Sequence, residues 1–414
     1  MQFAEAVQYL LSLGHETLTI KLGLRNTELL LHALNNPERS FTCVQIAGTN
    51  GKGSTAVMLD AIGRAAGIKT GLYTSPHLVS ITERIRIAGT DITPEDFARQ
   101  ATTVRAVAED LLVRKELEAR PTFFEHVTAI ALLAFREAGV ELAILETVLG
   151  GRLDSTTAAK AEIIGITQIA MDHEEYLGHT LASIASEKAA VIRPGVTAVI
   201  GQQDPEALAV LLARCAAVGV QPLLEPNTDI YKNFSLSLRG AHQIKNASVA
   251  IRLAEALNIP RESVIRGLKT TRHPGRLELI PPFLLDGAHN PAGAEALRDY
   301  LKEFYDGPLT VIFGAMRDKK LDQIAEILFP IADCLILTTI QNPRAAPVET
   351  LTLLAKKFTR GVVIETTSSA EAVRTALAQA SPGELICITG SLYLIGETRP
   401  LIQKLAEQSH DHST

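Results

Sequence analysis

The residues best suited to chemistry form one glycine-rich segment, Gly48-Thr49-Asn50-Gly51-Lys52-Gly53-Ser54-Thr55. It follows an apolar stretch, FTCVQIA at 41–47, and opens a predicted helix. Backbone N–H groups in such a loop, together with the positive end of a helix, can hold the oxygens of a di- or triphosphate. Lys52 would add a positive charge, and Ser54 or Thr55 would offer a hydroxyl to Mg²⁺. The segment therefore predicts a phosphate-binding loop.

The spacing of this loop differs from the usual phosphate-loop pattern, G-x-x-x-x-G-K-[ST]. Two residues rather than four separate Gly48 from Gly51, and Gly53 stands between Lys52 and Ser54. The alternative is a glycine-rich turn between a strand and a helix that binds nothing. Strand, loop, lysine, hydroxyl and helix nevertheless come in the order that phosphate binding requires, so we favour the phosphate loop.

Polar residues also follow two other predicted strands. Glu146 ends the ELAILE strand at 141–146, and Asp172-His173 follow the apolar stretch at 163–169. The carboxyl ends of parallel strands meet at one edge of a sheet, where open α/β sheets bind ligands. Glu146 can there be the acidic partner of a phosphate-bound magnesium. The alternatives are a structural strand-end carboxylate and a hydrogen-bonded histidine without a ligand.

Two basic residues lie near these strand ends. Arg152 follows Gly150-Gly151, a pair that lets the backbone approach a ligand, and can pair with an anion. Lys188 lies on a largely apolar predicted helix, and burial would lower its pKa toward a reactive neutral amine. The alternatives are a solvated loop charge for Arg152 and a lysine that snorkels to solvent for Lys188. From pattern alone, these alternatives are favoured for both residues.

The second half of the chain has a similar strand end, Leu285-Asp286-Gly287-Ala288-His289-Asn290-Pro291. Asp286 can accept a hydrogen bond from a ribose hydroxyl, and His289 can reach a phosphate. For Asn290 the alternative is a helix N-cap.

The elements that must position these groups alternate along the chain. Short β-branched runs separate longer Ala/Leu/Glu-rich runs, which is typical of βα units around a parallel sheet. A helix at 94–118 begins with Thr93-Pro94-Glu95, an N-cap, an N1 proline and an acidic first turn. Polar alternation at 227–240 predicts a small hairpin. The predicted strands are 41–47, 69–74, 141–146, 163–169, 197–201 and 221–224, then 283–286, 309–313, 334–338, 361–365 and 384–389.

Composition bounds the function classes. The chain has 414 residues, 46% hydrophobic and 21% charged, which is enough for two or three cores. Its net charge of −6, with no long basic block, lacks the footprint of a nucleic-acid binder. Four widely spaced cysteines form neither a disulfide framework nor a zinc pattern. With no signal peptide or membrane-spanning run recognised, we expect a cytoplasmic chain with no membrane partner.

A proline-rich segment divides the chain. Residues 271–283, TRHPGRLELIPPF, contain three prolines and a glycine and fit an interdomain linker. We therefore predict an N-terminal domain at 1–270, a hinge at 271–282 and a C-terminal domain at 283–414.

Several motifs taken together resemble one family. The chain resembles folylpolyglutamate synthetase/dihydrofolate synthetase, a branch of the Mur-ligase superfamily, from about residue 40 to residue 395. The motifs that carry the resemblance, in family order, are GTNGKGST, TSPHLVSITERIRI, PTFFE, ETVLGGRLD, MDHEEYLG, SEKAAVIRPG, HQIKNA, HPGRLE, DGAHNP, FGAMRDK and ITGSLY. One such motif is weak evidence, whereas eleven in order are highly specific.

The resemblance implies a fold and an activity. The fold would be α/β: a P-loop parallel-sheet ATPase domain with a smaller Rossmann-like C-terminal domain. The activity would be an ATP-dependent amide ligase that phosphorylates the substrate's carboxylate with MgATP and adds L-glutamate to the acyl phosphate, in folate biosynthesis. The other substrate would be a pterin or folate, either dihydropteroate or tetrahydrofolate polyglutamates. We expect ATP, two Mg²⁺ sites, room for K⁺ or another monovalent cation, and a monomer.

The resemblance also implies roles for particular residues. Lys52, His173 and Lys188 would be catalytic, with Lys188 carbamylated into an anionic oxygen ligand. The metal ligands would be Ser54, Glu146, His173 and the Lys188 carbamate. ATP would contact Gly48, Thr49, Asn50, Gly51, Lys52, Gly53, Ser54, Thr55, Asn246, Arg276, Asp286 and His289. The pterin site would be lined by Ser75, Pro76, His77, Arg152 and Asp154.

Three residues depart from the family pattern. Val148 stands where glycine is usual, Ser155 where alanine is usual and Thr157 where asparagine is usual. They flank the loop beside the pterin pocket and therefore bear on which folate is used more than on the ATP chemistry. Two other functions stay open. One is another Mur-type amino-acid ligase, and the other is a P-loop nucleotide switch that forms no bond.

Overall fold

The computed structural model describes residues 1–14, 23–224 and 236–411, and it divides into two compact units. Unit 1 comprises Met1–Ser237 with Gln243–Thr271, and unit 2 comprises Leu238–His242 with Arg272–Thr414. Each unit has its own sheet flanked by helices, so the predicted α/β class is confirmed. Most of the hairpin predicted at 227–240 lies outside the described residues.

The sheet of unit 1 has eight strands in the order β4-β3-β2-β5-β1-β6-β7-β8. From β2 to β8 all neighbours run parallel, and β3 and β4 add an antiparallel edge. Strands buried on both faces read as continuous apolar runs, which explains why they could be recognised in the sequence. The strands are β1 Thr42–Ala47, β2 Thr70–Tyr73, β3 Ile85–Ile87, β4 Thr90–Asp91, β5 Leu142–Glu146, β6 Ile163–Ile166, β7 Thr197–Ile200 and β8 Leu223–Leu224.

The helices of unit 1 mostly connect these strands. They are α1 Phe3–Ser12, α2 Arg25–Ala33, α3 Lys52–Ala65, α4 Pro94–Val113, α5 Phe123–Glu137, α6 Glu174–Leu177, α7 Leu181–Ala189, α8 Pro205–Ala217, α9 Ala241–Ala256 and α10 Arg261–Thr270. The predicted start of α4 is confirmed, because the Thr93 hydroxyl accepts from the Asp96 N–H at 3.0 Å. The helix ends five residues before its predicted end at 118, since Lys115 adopts φ +61°, a left-handed conformation that stops a helix.

A buried histidine joins α1 to α5. His126 is fully buried; its Nδ1 lies 3.1 Å from the Thr122 carbonyl oxygen, and its Nε2 lies 3.1 Å from the Tyr9 hydroxyl. Nδ1–H therefore donates to the carbonyl, and Nε2 accepts from Tyr9. Burial lowers the pKa of His126 to about 4, because the charged imidazolium loses its hydration.

This histidine predicts a pH dependence of stability. Between pH 6.5 and 4 the unfolded chain binds a proton at His126 that the folded chain does not, so stability falls as the pH falls. We expect the unfolding free-energy difference between wild type and His126→Gln to shrink by roughly 2–3 kcal/mol between pH 7 and 4.5. Urea titrations across this range measure it, with the exposed His32→Gln as control. A pH-independent difference at His126 would contradict the assignment.

The sheet of unit 2 has six strands in the order β13-β12-β11-β14-β10-β9. All neighbours are parallel except β9, which runs antiparallel to β10. The strands are β9 Glu278–Ile280, β10 Phe283–Leu285, β11 Leu309–Phe313, β12 Cys334–Thr338, β13 Val362–Thr366 and β14 Leu385–Thr389. The helices are α11 Pro291–Phe304, α12 Leu321–Leu328, α13 Val348–Phe358, α14 Ser369–Gln379 and α15 Leu392–Asp411.

The segment interpreted from sequence as a linker is partly built into unit 2. Within it, β9 pairs with β10 so that Glu278 lies opposite Leu285. Prolines 281 and 282 lie in the turn between the two strands, where a missing N–H costs no ladder hydrogen bond. The prolines therefore mark a tight turn inside a hairpin, and the sequence pattern did not reveal the strand before them.

The helices and the cysteines bear on the expected surroundings of the chain. In the described ranges, none of the helices is both long and apolar enough to cross a membrane. All four cysteines are free thiols, and Cys43, Cys215 and Cys387 are buried.

Candidate active site

Two glycines of the phosphate loop are required by close packing. The loop leaves β1, and α3 begins at Lys52. A Cβ on Gly48, which has φ +145°, would lie 2.0 Å from the Thr167 hydroxyl oxygen. A Cβ on Gly51, which has φ +85°, would lie 1.9 Å from the Asn246 side-chain oxygen. Any side chain at either position would displace a neighbour, so the sequence can hold this loop only with glycine there.

The loop is fixed to the segment that follows β6. The N–H groups of Thr49 and Asn50 both donate to the Gln168 carbonyl, at 2.9 and 3.1 Å. The Thr49 hydroxyl donates to the Ala170 carbonyl and accepts from the Ala170 N–H, each at 3.1 Å. These four hydrogen bonds hold the loop in shape before any ligand arrives.

The start of α3 is suited to an anion. Gly51 is the N-cap and makes no side-chain capping bond, and the first intrahelical bond runs from Thr55 N–H to the Gly51 carbonyl. The earlier N–H groups of a helix have no acceptor within the helix, and the dipole adds a partial positive charge. The Lys52 ammonium donates to the Thr49 carbonyl at 3.1 Å and so lies over the same loop. Phosphate oxygens fit this arrangement.

Helix α9 is hydrogen-bonded to Ser54 and Thr55 at the end of the same loop. The Asn246 amide donates to the Gln243 side-chain oxygen at 2.9 Å, and the Gln243 amide donates to the Ser54 hydroxyl at 3.3 Å. The Thr55 hydroxyl donates to the Asn246 carbonyl at 3.3 Å. Asn246 and Ser54, far apart in sequence, are thus brought together as predicted site residues. Gln243 was missed, although it lies one helical turn before Asn246 in the HQIKNA motif.

Gln243 orients the Ser54 hydroxyl, which leads to a prediction. Replacing Gln243 by alanine should remove one hydrogen bond that orients the Ser54 hydroxyl and raise the Mg²⁺ concentration needed for half-maximal activity about tenfold, as loss of a group that orients a metal ligand does elsewhere. The measurement is activity against Mg²⁺ concentration. The exposed Gln8→Ala, on α1, is the matched control, and an unchanged Mg²⁺ requirement in Gln243→Ala would contradict the role.

Lys188 is buried under the phosphate loop. Its side chain is 4% exposed, and its Nζ donates to the Gly48 carbonyl at 2.7 Å. The snorkelling alternative is therefore wrong, because α7 packs this residue inward. Burial and, to a smaller extent, the nearby Lys52 charge lower the pKa of Lys188 to about 7, while Asp172 and Asp154 act in the opposite direction. Near neutral pH a large fraction of Lys188 is therefore a neutral amine.

Glu146 lies where the sequence placed it, at the carboxyl end of β5. It pairs in register with Ile46, two residues before the phosphate loop, and is 5% exposed. Its Oε2 accepts from the Ser75 N–H at 3.0 Å, so Ser75 and Glu146 also come together. A buried carboxylate at this edge is the hard oxygen donor that Mg²⁺ prefers.

Asp154 builds the loop that follows Glu146. Its Oδ2 accepts from the N–H groups of Val148 and Leu149 at 2.7 and 2.9 Å. Its Oδ1 accepts from the N–H and hydroxyl of Thr156 at 3.0 and 2.6 Å. Burial raises the pKa of Asp154, while these bonds oppose the rise. The carboxylate thus acts within its own loop, and its predicted contact with a substrate stays a prediction.

Two of the residues that depart from the family pattern anchor this loop. The Ser155 hydroxyl lies 2.7 Å from the Thr128 hydroxyl of α5. The Thr157 hydroxyl donates to the Gly151 carbonyl at 2.7 Å and accepts from the Gln45 amide of β1 at 2.7 Å. Alanine could not make the first contact, so Ser155 ties the loop to α5 through a hydrogen bond that the usual residue would lack.

Arg152 is tied to the helix that carries Lys188. Its side-chain Nε lies 3.1 and 3.2 Å from the two Glu187 carboxylate oxygens. Its backbone N–H donates to the Glu187 carbonyl at 3.0 Å. The side chain is 51% exposed. The structure therefore gives Arg152 a partner on α7, and its predicted binding of a pterin substrate stays a prediction.

His77 accepts a hydrogen bond from a buried arginine, Arg84. Its Nδ1 accepts from Arg84 Nε at 2.8 Å, and Arg84 is 1% exposed. The Arg84 guanidinium lies 5.4 Å from the ring centre of Phe123 and 5.7 Å from that of Phe124, at the start of α5. Arg84 and Phe124 were not among the predicted site residues, although both stand in motifs that carry the family resemblance. Pro76 follows Ser75 through a cis peptide bond.

His173 lies after β6 at the start of α6. Its backbone has φ +52°, its N–H donates to Asp172 Oδ1 at 2.9 Å, and its side chain is 39% exposed. Within residues 1–14, 23–224 and 236–411, no three His, Cys, Asp or Glu side chains converge as a metal site would require. The oxygen donors near the phosphate loop include a buried carboxylate, Glu146, and a buried hydroxyl, Ser54. This set fits Mg²⁺, which commonly binds through one or two protein oxygens together with phosphate oxygens and water.

Unit 2 groups three residues that the resemblance assigned to ATP binding, Arg276, Asp286 and His289. Asp286 is buried, and its carboxylate accepts from Leu277 N–H at 2.9 Å and Ala288 N–H at 3.0 Å. His289 Nδ1 lies 2.8 Å from the Gly287 carbonyl, and Arg276 Nη1 lies 3.5 Å from the same oxygen. Burial raises the pKa of Asp286, opposed by the charges of Arg276 and His242.

Asn290 acts as a helix cap. Its side-chain oxygen accepts from the Gly293 N–H at 2.8 Å at the start of α11. The alternative given for it from sequence is therefore confirmed, and no ligand is needed to explain this residue.

Comparison with known proteins adds the family. A model of the Mur ligase, glutamate ligase domain, matches residues 275–392. The Bacillus subtilis dihydrofolate synthase/folylpolyglutamate synthase is 33% identical over 416 residues, which cover 92% of this chain and 95% of that protein. Two haloarchaeal proteins, named "Probable bifunctional folylpolyglutamate synthase/dihydropteroate synthase", are 33% and 34% identical. They come from Haloferax volcanii and Halobacterium salinarum, and this chain spans about half of their length, 50% and 51%.

Solved structures agree. Folylpolyglutamate synthase of Mycobacterium tuberculosis complexed with ADP has a TM-score of 0.90 at 32% identity, covering 97% of this chain and 99% of that one. The bifunctional enzyme of Yersinia pestis complexed with AMPPNP and Mn ion has a TM-score of 0.85 at 26% identity, covering 97% and 98%. The two-unit α/β fold and one-third identity along nearly the full length of the Bacillus protein show the same kinship that the ordered motifs predicted. This chain belongs to the folylpolyglutamate synthase/dihydrofolate synthase family of Mur-type ligases.

Proposed function

We propose that this chain is an ATP-dependent carboxylate–amine ligase that adds L-glutamate to a pterin substrate, dihydropteroate or a tetrahydrofolate polyglutamate. The observation that carries the proposal is the buried Lys188 amine, with a pKa of about 7, hydrogen-bonded to the first carbonyl of a phosphate loop. A loop that only held a nucleotide would need no deprotonated lysine beneath it. A ligase of this family could convert such a lysine into a carbamate, whose oxygens would bind a divalent cation.

The first step would activate the substrate. A carboxylate oxygen of the pterin substrate attacks the γ-phosphorus of ATP, the bond from that phosphorus to the β,γ-bridging oxygen breaks, and ADP leaves with the electron pair. The Lys52 ammonium and the N–H groups at the start of α3 would stabilise the charge on the transferring group. When bound, Mg²⁺ would supply further positive charge to the phosphate oxygens.

The second step would form the amide. The neutral amine of glutamate attacks the acyl carbon, a C–N bond forms, inorganic phosphate leaves, and the amine gives up a proton. Acyl phosphates hydrolyse readily, so the site must exclude water while this intermediate exists. The hydrogen bonds that hold the phosphate loop in shape would let the loop bind phosphate without reorganising.

Lys188 is proposed to work as a carbamate. Its neutral Nζ adds to CO₂, an N–C bond forms, and one proton is released, which leaves an anionic group with two oxygens. Because only the neutral amine reacts, the pKa of about 7 makes this step favourable at and above neutral pH and unfavourable below it. The new oxygens, with His173, would serve a second divalent cation, while Ser54 and Glu146 would serve the first.

The pterin is assigned to the region around β2 and the loop after β5. Ser75, Pro76 and His77 lie there, and the buried Arg84 guanidinium lies beside the rings of Phe123 and Phe124. A planar heteroaromatic ring with hydrogen-bonding edges matches such aromatic and cationic neighbours. Arg152 and Asp154 complete the proposed set of pterin contacts.

The remaining nucleotide contacts are assigned to Asn246 in unit 1 and to Arg276, Asp286 and His289 in unit 2. We further propose that residues 1–270 form the ATP-binding domain, that 271–282 act as a hinge and that 283–414 form the ligase domain. A monomer, a cytoplasmic location and a monovalent cation complete the proposal. The free cysteines favour a reducing compartment.

Glutamate incorporation is the test. The protein is incubated with ATP, Mg²⁺, radiolabelled glutamate and either dihydropteroate or tetrahydrofolate, and both ADP release and labelled product are measured. We expect glutamate-dependent ADP release with at least one pterin. Incorporation into another carboxylate alone would indicate a different Mur-type ligase. Nucleotide binding without incorporation would indicate a switch, and either outcome would sink the proposal.

A further inference from the structure

The turn that carries Arg276 is held in a strained conformation. Gly275 has φ +72°, and Leu277, on the other side of Arg276, has φ +44° and is 2% exposed. A leucine in the left-handed region has its Cβ too close to the following carbonyl, so it adopts this conformation only where the surroundings enforce it. Such outliers often mark functional positions.

Two backbone contacts fix the two sides of the turn. The Leu277 N–H donates to Asp286 Oδ2 at 2.9 Å, and the Gly275 carbonyl accepts from the Gly287 N–H at 2.9 Å. Both partners belong to the segment after β10. The turn and this segment therefore form one hydrogen-bonded unit around Arg276.

A third contact comes from Glu278, the first residue of β9. Its Oε2 accepts from the Gly275 N–H at 2.8 Å and so links the strand that follows the turn to a residue within the turn. The strand pairing places Glu278 opposite Leu285, directly before Asp286. The Glu278 backbone is therefore fixed in the sheet, and the orientation of its side chain decides whether the carboxylate reaches Gly275.

Arg399 of α15 sets that orientation. Its Nε lies 2.9 Å from Glu278 Oε2, and its Nη2 lies 2.8 Å from Glu278 Oε1. The two side chains are 20% and 19% exposed. A two-pronged pair fixes both the position and the plane of a carboxylate, which a single hydrogen bond does not.

From this chain of contacts we propose that Arg399 and Glu278 are positioning residues for nucleotide binding. They hold the 273–277 turn so that the Arg276 guanidinium stays beside the Gly287 carbonyl and directed toward the nucleotide. The inference rests on the proposed role of Arg276 in ATP binding. Neither Arg399 nor Glu278 needs to touch ATP.

The test compares nucleotide affinity with stability. In Arg399→Gln the Glu278 carboxylate can rotate away from Gly275, and the turn gains alternatives to the strained state. We expect the Kd for ADP, measured by calorimetry, and the KM for ATP to rise about tenfold. The Tm of Arg399→Gln should stay near the wild-type value. The Kd for ADP of Arg399→Lys should lie between those of wild type and Arg399→Gln. Arg298→Gln, which breaks an exposed pair with Asp299 on α11, is the matched control.

A second variant separates positioning from simple support. In an Arg276→Ala background, Arg399→Gln should cause no further loss of ADP affinity, because the group that it positions is gone. Full additivity of the two changes, or wild-type ADP affinity in Arg399→Gln, would overturn the inference. If Arg399→Gln does not fold, Glu278→Gln replaces it with the same expectations. Absence of ADP binding in the wild type would instead defeat the proposed function itself.

Discussion

Lys188→Ala is expected to lose on the order of 100-fold or more in glutamate ligation, and bicarbonate with short carboxylic acids such as formate or acetate should restore part of it. The lysine is buried, and its amine lies 2.7 Å from the Gly48 carbonyl. Truncation to alanine removes the carbamate and leaves a cavity beneath the phosphate loop. A small carboxylate can occupy that space and return the anionic oxygens. Ligation rate against carboxylate concentration is the measurement.

Lys188→Met is the matched control for this rescue. Methionine fills the same volume with an apolar chain, so formate has no room, and the variant should stay inactive at every carboxylate concentration. Methionine also removes a lysine whose pKa burial holds near 7, which means that charging this amine in the folded chain is costly. The unliganded variant should therefore be at least as stable as wild type at pH 7. Full activity of Lys188→Ala without added carboxylate would exclude the carbamate.

The same pKa gives the direction of a pH effect on stability. Between pH 7 and 10.5 the unfolded chain carries a proton on Lys188 that the folded chain has lost. Unfolding therefore takes up a proton, and the Lys188 contribution to stability rises as the pH rises through this range. Lys188→Met should lack this rise, which urea titrations at pH 7 and pH 9 can measure.

Lys52→Ala is expected to abolish ATP turnover, a loss of about 10²–10³-fold or more, while leaving the thermal transition of the unliganded protein nearly unchanged. Lys52 is the first residue of α3, where a positive charge is opposed by the helix dipole, so its removal costs the fold little. The phosphate groups of ATP supply the compensating charge only when bound. ADP release and the Tm of the unliganded protein are measured on one preparation.

The exposed Lys302→Ala in α11 is the control for Lys52→Ala, and it should keep wild-type turnover. Lys52 also affects Lys188 through its charge. The Lys52 charge lowers the pKa of Lys188, so its removal should raise that pKa and make carbamylation more dependent on CO₂ and pH. A large drop in the Tm of unliganded Lys52→Ala would instead identify a structural lysine and refute the phosphate role.

The sequence by itself determined the α/β class, the phosphate loop and the strand-end position of Glu146. These features rest on local signals: apolar runs for buried parallel strands, Gly48 and Gly51 for a tight loop, and Thr93-Pro94 for a helix start. Each signal acts within a few residues of its own position, so one chain suffices to recognise it. Each of the eleven motifs is local as well, and their order along the chain predicted the family.

Tertiary structure alone decided the burial and the partners of the side chains. Pattern favoured a solvent-directed Lys188, whereas packing of α7 under the loop places its amine on the Gly48 carbonyl, 140 residues away in sequence. Neither Gln243 nor Arg399 was predicted from the sequence, because each contacts a partner on another element, Ser54 and Glu278. Hydrogen bonds and pKa shifts depend on what surrounds a group in space. Residues far along the chain supply those surroundings, which is why only the folded molecule could reveal them.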